Sequence, residues 1–154
     1  MNMISRFLSR DDVVLDVDVP DKTRALEEAA LLVEARHHVN HALVFRALWR
    51  REQSGSTGLG HGIAIPHARI AGISEPIVLL VRTKLPIKFG APDREAVSVL
   101  FVILVPEQAN EEHLRILATA SELFSDPTFR DRLLAATEPV AVQRLFGEWP
   151  TTMA

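Results

Sequence analysis

The sequence predicts an α/β domain in which a mixed sheet of about four to five strands carries helices on both faces. Three observations carry that expectation. Val97 to Val105 is apolar at every position except Ser98, the pattern of a strand covered on both faces rather than one. Ile77 to Thr83, IVLLVRT, is a second run rich in branched residues. From Asn110 onward the apolar residues recur at helical spacing instead, so the covering layers lie in the same chain.

Taken in order, Met3 to Leu8 suits one helical turn with Ile4, Phe7 and Leu8 facing inward. Val13 to Val19 alternates apolar and acidic residues after its first pair, as a half-buried strand does. Asp21 is placed to cap a helix reaching about His38, with Ala25, Ala29, Leu32 and Val33 at helical spacing. Asn40 caps the next helix, through about Gln53, with Val44, Phe45, Leu48 and Trp49 on its buried side. A glycine-rich loop then delivers the strand Gly62 to Ile65. Gly72-Ile73-Ser74 turns the chain into Ile77 to Thr83, and LPIKFGAPDRE reads as a connection with short extended pieces. Pro106 ends the Val97 to Val105 strand.

Asn110 caps a helix whose first turn carries Glu111 and Glu112, where negative charge suits the helix dipole. Leu114, Leu117, Ala118, Ser121 and Phe124 continue it at helical spacing. Pro127 fits the first turn of a helix through about Ala136, with Phe129, Leu133 and Leu134 apolar. Glu138 to Phe146 is a short last helix. The expected organisation is one domain over residues 1–150 and a short tail over 151–154.

Composition narrows the function classes. With 154 residues and 47% hydrophobic content, the chain can bury one sizeable core. A net charge of -3 argues against general nucleic-acid binding, although Arg50-Arg51 could steer an acidic ligand. There is no cysteine, which excludes disulfides, thiolate metal sites and cysteine nucleophiles. The longest apolar run, Ala96 to Val105, is too short to cross a membrane, which takes about 20 residues. The first residues carry no secretory signal pattern. A cytoplasmic protein without direct membrane insertion is expected.

The chemistry is expected around GSTGLGHGIAIPHAR, Gly55 to Arg69, which holds four of the seven glycines. Glycines allow a tight turn and bring backbone N–H groups close to an anion. The loop lacks the Gly-Lys-Ser/Thr ending of a nucleotide P-loop and the GxGxxG dinucleotide spacing. Taken alone it is a tight connection. Ser56 and Thr57 hydroxyls before it and His67 after it make it a candidate phosphate-binding loop, with Gly58, Gly60 and Gly62 supplying amides. Neutral imidazole is a competent nucleophile, so His67 is the candidate acceptor of a phosphoryl group. His113 falls in the first turn of the helix after Asn110, where the positive helix end favours a neutral ring and attracts anions. On an exposed turn it would be a plain surface histidine, and it gains a role only if the fold brings it to His67. His61 could decorate the loop or line the pocket. His37, His38 and His41 read as exposed helix-end residues without metal-ligand spacing. No metal and no cofactor is expected.

The chain resembles the enzyme IIA domains of the fructose/mannitol type in the bacterial phosphoenolpyruvate-dependent phosphotransferase system, most of all their nitrogen-regulatory branch. The likeness rests on REQSGSTGLGHGIAIPHAR (Arg51 to Arg69), PIKFGAPD (Pro86 to Asp93) and VLFVILVPEQANEEHL (Val99 to Leu114), and it runs over about residues 4 to 147. It implies a three-layer α/β/α sandwich. It also implies that His67 is phosphorylated through Nε2 by a phosphohistidine carrier of the HPr or NPr kind, that His113 hydrogen-bonds the phosphoryl group, and that Arg51 lies near it to stabilise charge. Ser56 and Thr57 match the loop beside the site. Downstream partners would be regulatory targets, in relatives potassium transport or nitrogen and carbon metabolism, and a stand-alone sugar component passing phosphate to a IIB protein remains open. A non-phosphorylated binding module of the same fold is the alternative of another class, and a metallohydrolase a distant one. Two positions depart from the branch: His61 stands where asparagine is usual and Ala68 where glycine is usual.

Overall fold

Hydrogen bonding joins six strands into one sheet, ordered β1-β5-β6-β3-β2, with β4 also paired to β6. The computed structural model describes residues 3–150; the tail expected over 151–154 lies outside the described residues. The sheet centre is β5 (Ile77–Ile87) against β6 (Val97–Pro106), antiparallel. β1 (Val13–Val17) runs parallel to β5. On the other edge of β6, β3 (Ile63–Ala64) and β4 (His67–Ile70) follow one another, both parallel to it. β2 (Gly58–Gly60) folds back antiparallel on β3.

The four to five strands expected become six because two are too short or too polar to signal themselves. β2 lies wholly inside the glycine loop, and β4 reads HARI, with two polar residues in four. β5 also extends through Lys84-Leu85-Pro86 to Ile87, where a connection was expected. Pro66 separates β3 from β4, yet its carbonyl still accepts a hydrogen bond from Ile103 N at 2.9 Å, so the pairing along β6 crosses the break.

The apolar run of β6 divides between two cores. Val99, Phe101, Ile103 and Val105 face one side, and Leu100, Val102 and Leu104 the other. β5 splits likewise, with Val78 and Leu80 opposite Ile77, Leu79 and Val81. One face is covered by α1 (Lys22–His37) and α2 (His41–Gln53). Asp21 caps α1 by accepting from Arg24 N, and Asn40 Oδ1 caps α2 by accepting from Ala42 N and Leu43 N. The other face carries α3 (Glu111–Phe124), α4 (Pro127–Ala135), α5 (Pro139–Glu148) and the short 3-10 turn Met3–Arg6. The result is the three-layer α/β/α sandwich expected.

α3 buries only part of its apolar surface. Its buried side is Ile116, Thr119, Ala120, Leu123 and Phe124, whereas Leu114 is 46% exposed and Ala118 faces solvent. Both stripes are apolar at helical spacing, so periodicity could not choose between them. His37 is also not a free helix-end residue: its Nε2 lies 2.9 Å from Oδ1 of Asp12, a carboxylate buried beneath the first turns. His41 is exposed and holds the Glu34 carboxylate through Nδ1.

Candidate functional site at the free edge of β4

β4 pairs with β6 on one side only, and a cavity of about 640 Å³ opens beside it. Its walls come from the last turns of α2, from β4, from Ile103 and Val105 of β6, and from the first turns of α3. His67 and His113, 46 residues apart in sequence, both line it. So do three arginines, Arg50, Arg51 and Arg69, and no carboxylate does. The wall is therefore cationic, with Leu114 and Leu117 as an apolar side. Leu114 is exposed there, whereas Leu117 also packs against the core.

His67 opens β4 half-buried. Its Nδ1 lies 2.8 Å from the carbonyl oxygen of Ile65. A carbonyl only accepts, so Nδ1 carries the proton of the neutral ring and Nε2 keeps its lone pair. Arg51 Nε donates to that Nε2 at 3.4 Å, and Arg51 Nη1 is anchored on the Gly55 carbonyl at 2.8 Å. Burial holds the His67 pKa below its ordinary 6.5; the Ile65 carbonyl opposes this, the Arg51 charge adds to it, and the Glu52 charge opposes it. The ring is thus neutral near pH 7, with a nucleophilic nitrogen beside a guanidinium.

His113 sits one turn into α3, its backbone N–H donating to Asn110 Oδ1 at 2.8 Å. Its ring Nδ1 is buried and has no hydrogen-bond partner. A buried polar nitrogen left unpaired is costly, and the ring itself forms part of the cavity wall. Arg69 is fixed by donating from Nη1 to the Glu107 carbonyl at 3.1 Å.

The glycine loop is placed differently from the expectation. None of Ser56, Thr57, Gly58, Gly60 and Gly62 lines the cavity. Ser56 Oγ donates to the Phe89 carbonyl and accepts from Gly58 N. Thr57 gives both its N–H and its hydroxyl to the Glu52 carboxylate. A Cβ on Gly58 would stand 2.6 Å from Ala91 Cβ and 2.9 Å from Ala91 Cα, so close packing demands glycine there. Gly60 and Gly62, at φ 102° and 81°, flank His61 at φ 57° in a tight left-handed turn. Histidine, like asparagine, is among the residues that adopt that conformation, so His61 fits the turn. The exposed His61 points its N–H, not its ring, at a partner: Asp93 Oδ2 at 2.8 Å. Ala68 does line the cavity, next to His67.

Sequence reasoning missed Arg69 and Ser54 in the wall, and it missed Glu52 behind it. Position on the edge strand and on the last turn of α2 defines these, and the one-dimensional signal was only proximity to His67 and Arg51.

Residues 6–149 match the family described as "Phosphoenolpyruvate-dependent sugar phosphotransferase system, EIIA 2", and the chain belongs to that family. Within it, the chain is 41% identical over 133 residues to a nitrogen regulatory protein of Pseudomonas aeruginosa, covering 84% of this chain and 86% of the relative. It is 36% identical over 118 residues to a fructose-specific EIIA component of Haloferax volcanii, covering 77% of each. The crystal structure of nitrogen regulatory protein IIA-Ntr from Neisseria meningitidis superposes with a TM-score of 0.88 at 41% identity, covering 94% of this chain and 99% of that one. Membership makes the protein a phosphotransferase-system component. Among the described residues no helix is long and apolar enough to cross a membrane.

Proposed function

We propose that this protein is a cytoplasmic phosphocarrier of the nitrogen-regulatory kind, accepting a phosphoryl group on His67 Nε2 from a phosphohistidine carrier of the HPr or NPr type. The observation that carries the reading is an unprotonated His67 Nε2, met by Arg51 Nε at 3.4 Å, on a ring lining a cavity with three arginines and no carboxylate. In the transfer, Nε2 attacks phosphorus in line with the donor's N–P bond. That bond breaks as the new one forms, and the donor imidazole leaves with the electron pair as a neutral ring, its other nitrogen already protonated. The Nδ1 proton stays on His67, and the Ile65 carbonyl supports the positive ring that results. Arg51 and His113 take the roles of charge stabilisation and phosphoryl hydrogen bonding, as donors set in place before the reaction. The glycine loop, with Ser56 and Thr57, shapes the edge from behind.

The state of His67 would be read by target proteins that regulate nitrogen or carbon metabolism or potassium transport. The 41% likeness to a nitrogen regulatory protein favours this. The 36% likeness to a fructose-specific EIIA component favours a second reading, a sugar relay to a IIB protein. Incubation with phosphoenolpyruvate, enzyme I and an HPr-type carrier should add one acid-labile phosphate, seen by intact mass. An unchanged mass would overturn the reading. Onward transfer to a IIB domain, rather than phosphate-dependent capture of a regulator, would select the sugar role.

The pH dependence follows from the lowered pKa of His67. The protonated ring has no lone pair at Nε2, so the acceptor rate should stay level as pH falls to 6.5 and drop only below it. Removing the neighbouring charge in Arg51→Ala should move that drop to higher pH, because the guanidinium is one of the influences holding the pKa down. Single-turnover rates between pH 5 and 8 would show it.

A further inference from the structure

Behind the cavity lies an acid with no place in the transfer. Glu52, on the last turn of α2 next to Arg51, is only 6% exposed, and a carboxylate so buried must be paired. Lys22 of α1 reaches its Oε2 at 2.9 Å. Two more donors come from a single residue of the loop: Thr57 N at 3.0 Å to Oε2, and Thr57 Oγ1 to Oε1. Thr57 passes the constraint on. Its carbonyl accepts from Ile65 N at 3.0 Å, and the Ile65 carbonyl accepts from His67 Nδ1. Pro66, with its fixed φ, joins the two.

We propose that Glu52 is a positioning residue for His67. Through Thr57 and the Ile65 backbone it holds the carbonyl that keeps the proton on Nδ1 and so off Nε2. The last turn of α2 thus addresses both ring nitrogens, Nε2 directly through Arg51 and Nδ1 through Glu52 and the loop. This gives Thr57 a purpose that its absence from the cavity wall otherwise leaves unexplained. The charged and titratable groups around His67 are Arg50, Arg51 and Glu52 from α2, Arg69 from β4 and His113 from α3, with Lys22 of α1 behind Glu52. Glu52 supplies the negative charge among them, and its loss should also lower the His67 pKa further. The proposal rests on His67 as the acceptor.

The test is Glu52→Gln, which keeps the shape but removes the charge and one acceptor oxygen. Long-range 1H–15N NMR of the unphosphorylated protein should show a single Nδ1–H tautomer of His67 in the wild type. The variant should show a tautomer mixture, a titration moved to lower pH, and acceptor transfer slowed roughly 10²-fold at saturating donor, the scale of a small misplacement of a reacting group. Thr57→Val removes one of the two loop contacts and should move the same readouts in the same direction. Thr57→Ser, which retains both donors, should restore them. If Glu52→Gln does not fold, the Thr57 pair decides alone. A folded Glu52→Gln or Thr57→Val protein with the wild-type tautomer and rate overturns the proposal, even if it melts earlier. A wild type that takes no phosphate, with variants that still show these tautomer changes, would instead overturn the phosphocarrier reading and leave the positioning intact.

Discussion

His67→Ala is expected to take up no phosphate from a phosphorylated HPr-type donor, a loss of at least about 10⁴-fold in rate, as befits removal of a covalent nucleophile. No other described histidine can substitute. The Nε2 of His37 is engaged by the buried Asp12, and His41 is held by Glu34 away from the cavity. His61 and His38 are exposed in left-handed backbone conformations and line no part of the cavity. His113 does line it, but its Nδ1 is buried and closed to an incoming phosphoryl donor. The fold should survive, since the change removes a half-buried ring and one hydrogen bond to Ile65, worth about 1 kcal/mol. The check is intact mass of wild type and variant after incubation with the full relay, alongside their melting curves. Acid-labile phosphate on a folded His67→Ala protein would sink the assignment of the acceptor.

Phe101→Ala is expected to give the largest loss of stability, about 3–5 kcal/mol, the usual cost of deleting a fully buried aromatic ring. Phe101 is 0% exposed at the middle of β6. Its ring stacks on Phe146 of α5, with centroids 5.3 Å apart and planes 15° apart, and meets Phe124 of α3 edge-on at 5.5 Å. Phe129 joins both of those rings, and Trp149 packs on Phe129. One ring therefore fastens the sheet to two helices, and the small alanine leaves a cavity at their junction that rigid neighbours cannot fill. Against a total stability of about 5–15 kcal/mol for an ordinary domain, the melting temperature should fall by roughly 10 °C. Urea titration followed by tryptophan fluorescence measures it, because Trp149 lies at the edge of the cluster. A midpoint within experimental error of the wild type would show that the ring cluster does not fasten the layers.

Much of this was legible in one dimension because the signals are local. Asp21, Asn40 and Asn110 cap their helices as their sequence positions suggest, since a cap needs only its own next few residues. Val97 to Val105 declared itself a central strand, since a run apolar on both faces has one economical explanation. The exposure of Leu114 was not legible for the converse reason. α3 carries two adjoining apolar stripes, and which one is buried depends on where the sheet lies, not on spacing. The glycine loop is tight, as its composition suggests, and its position relative to the cavity is not a local property. Gly60, His61 and Gly62 turn a hairpin, and Gly58 makes room for Ala91, a neighbour from far along the chain.

The sequence by itself determined the layered α/β class, the helix starts, the family and the suspicion that His67 matters. Each depends on residue type and short spacing, which the chain order preserves. Only the tertiary structure decided that His67 and His113 share one cavity, that Arg50, Arg51 and Arg69 make it cationic, and that Glu52 stands behind it. Those facts require three separate stretches of chain to meet at the free edge of β4. The tautomer of His67 is the clearest case. It depends on a carbonyl two residues back in sequence, but the hydrogen bonds from Ile65 to Thr57 and from Thr57 to Glu52 set that carbonyl's position, and those contacts exist only once the chain has folded.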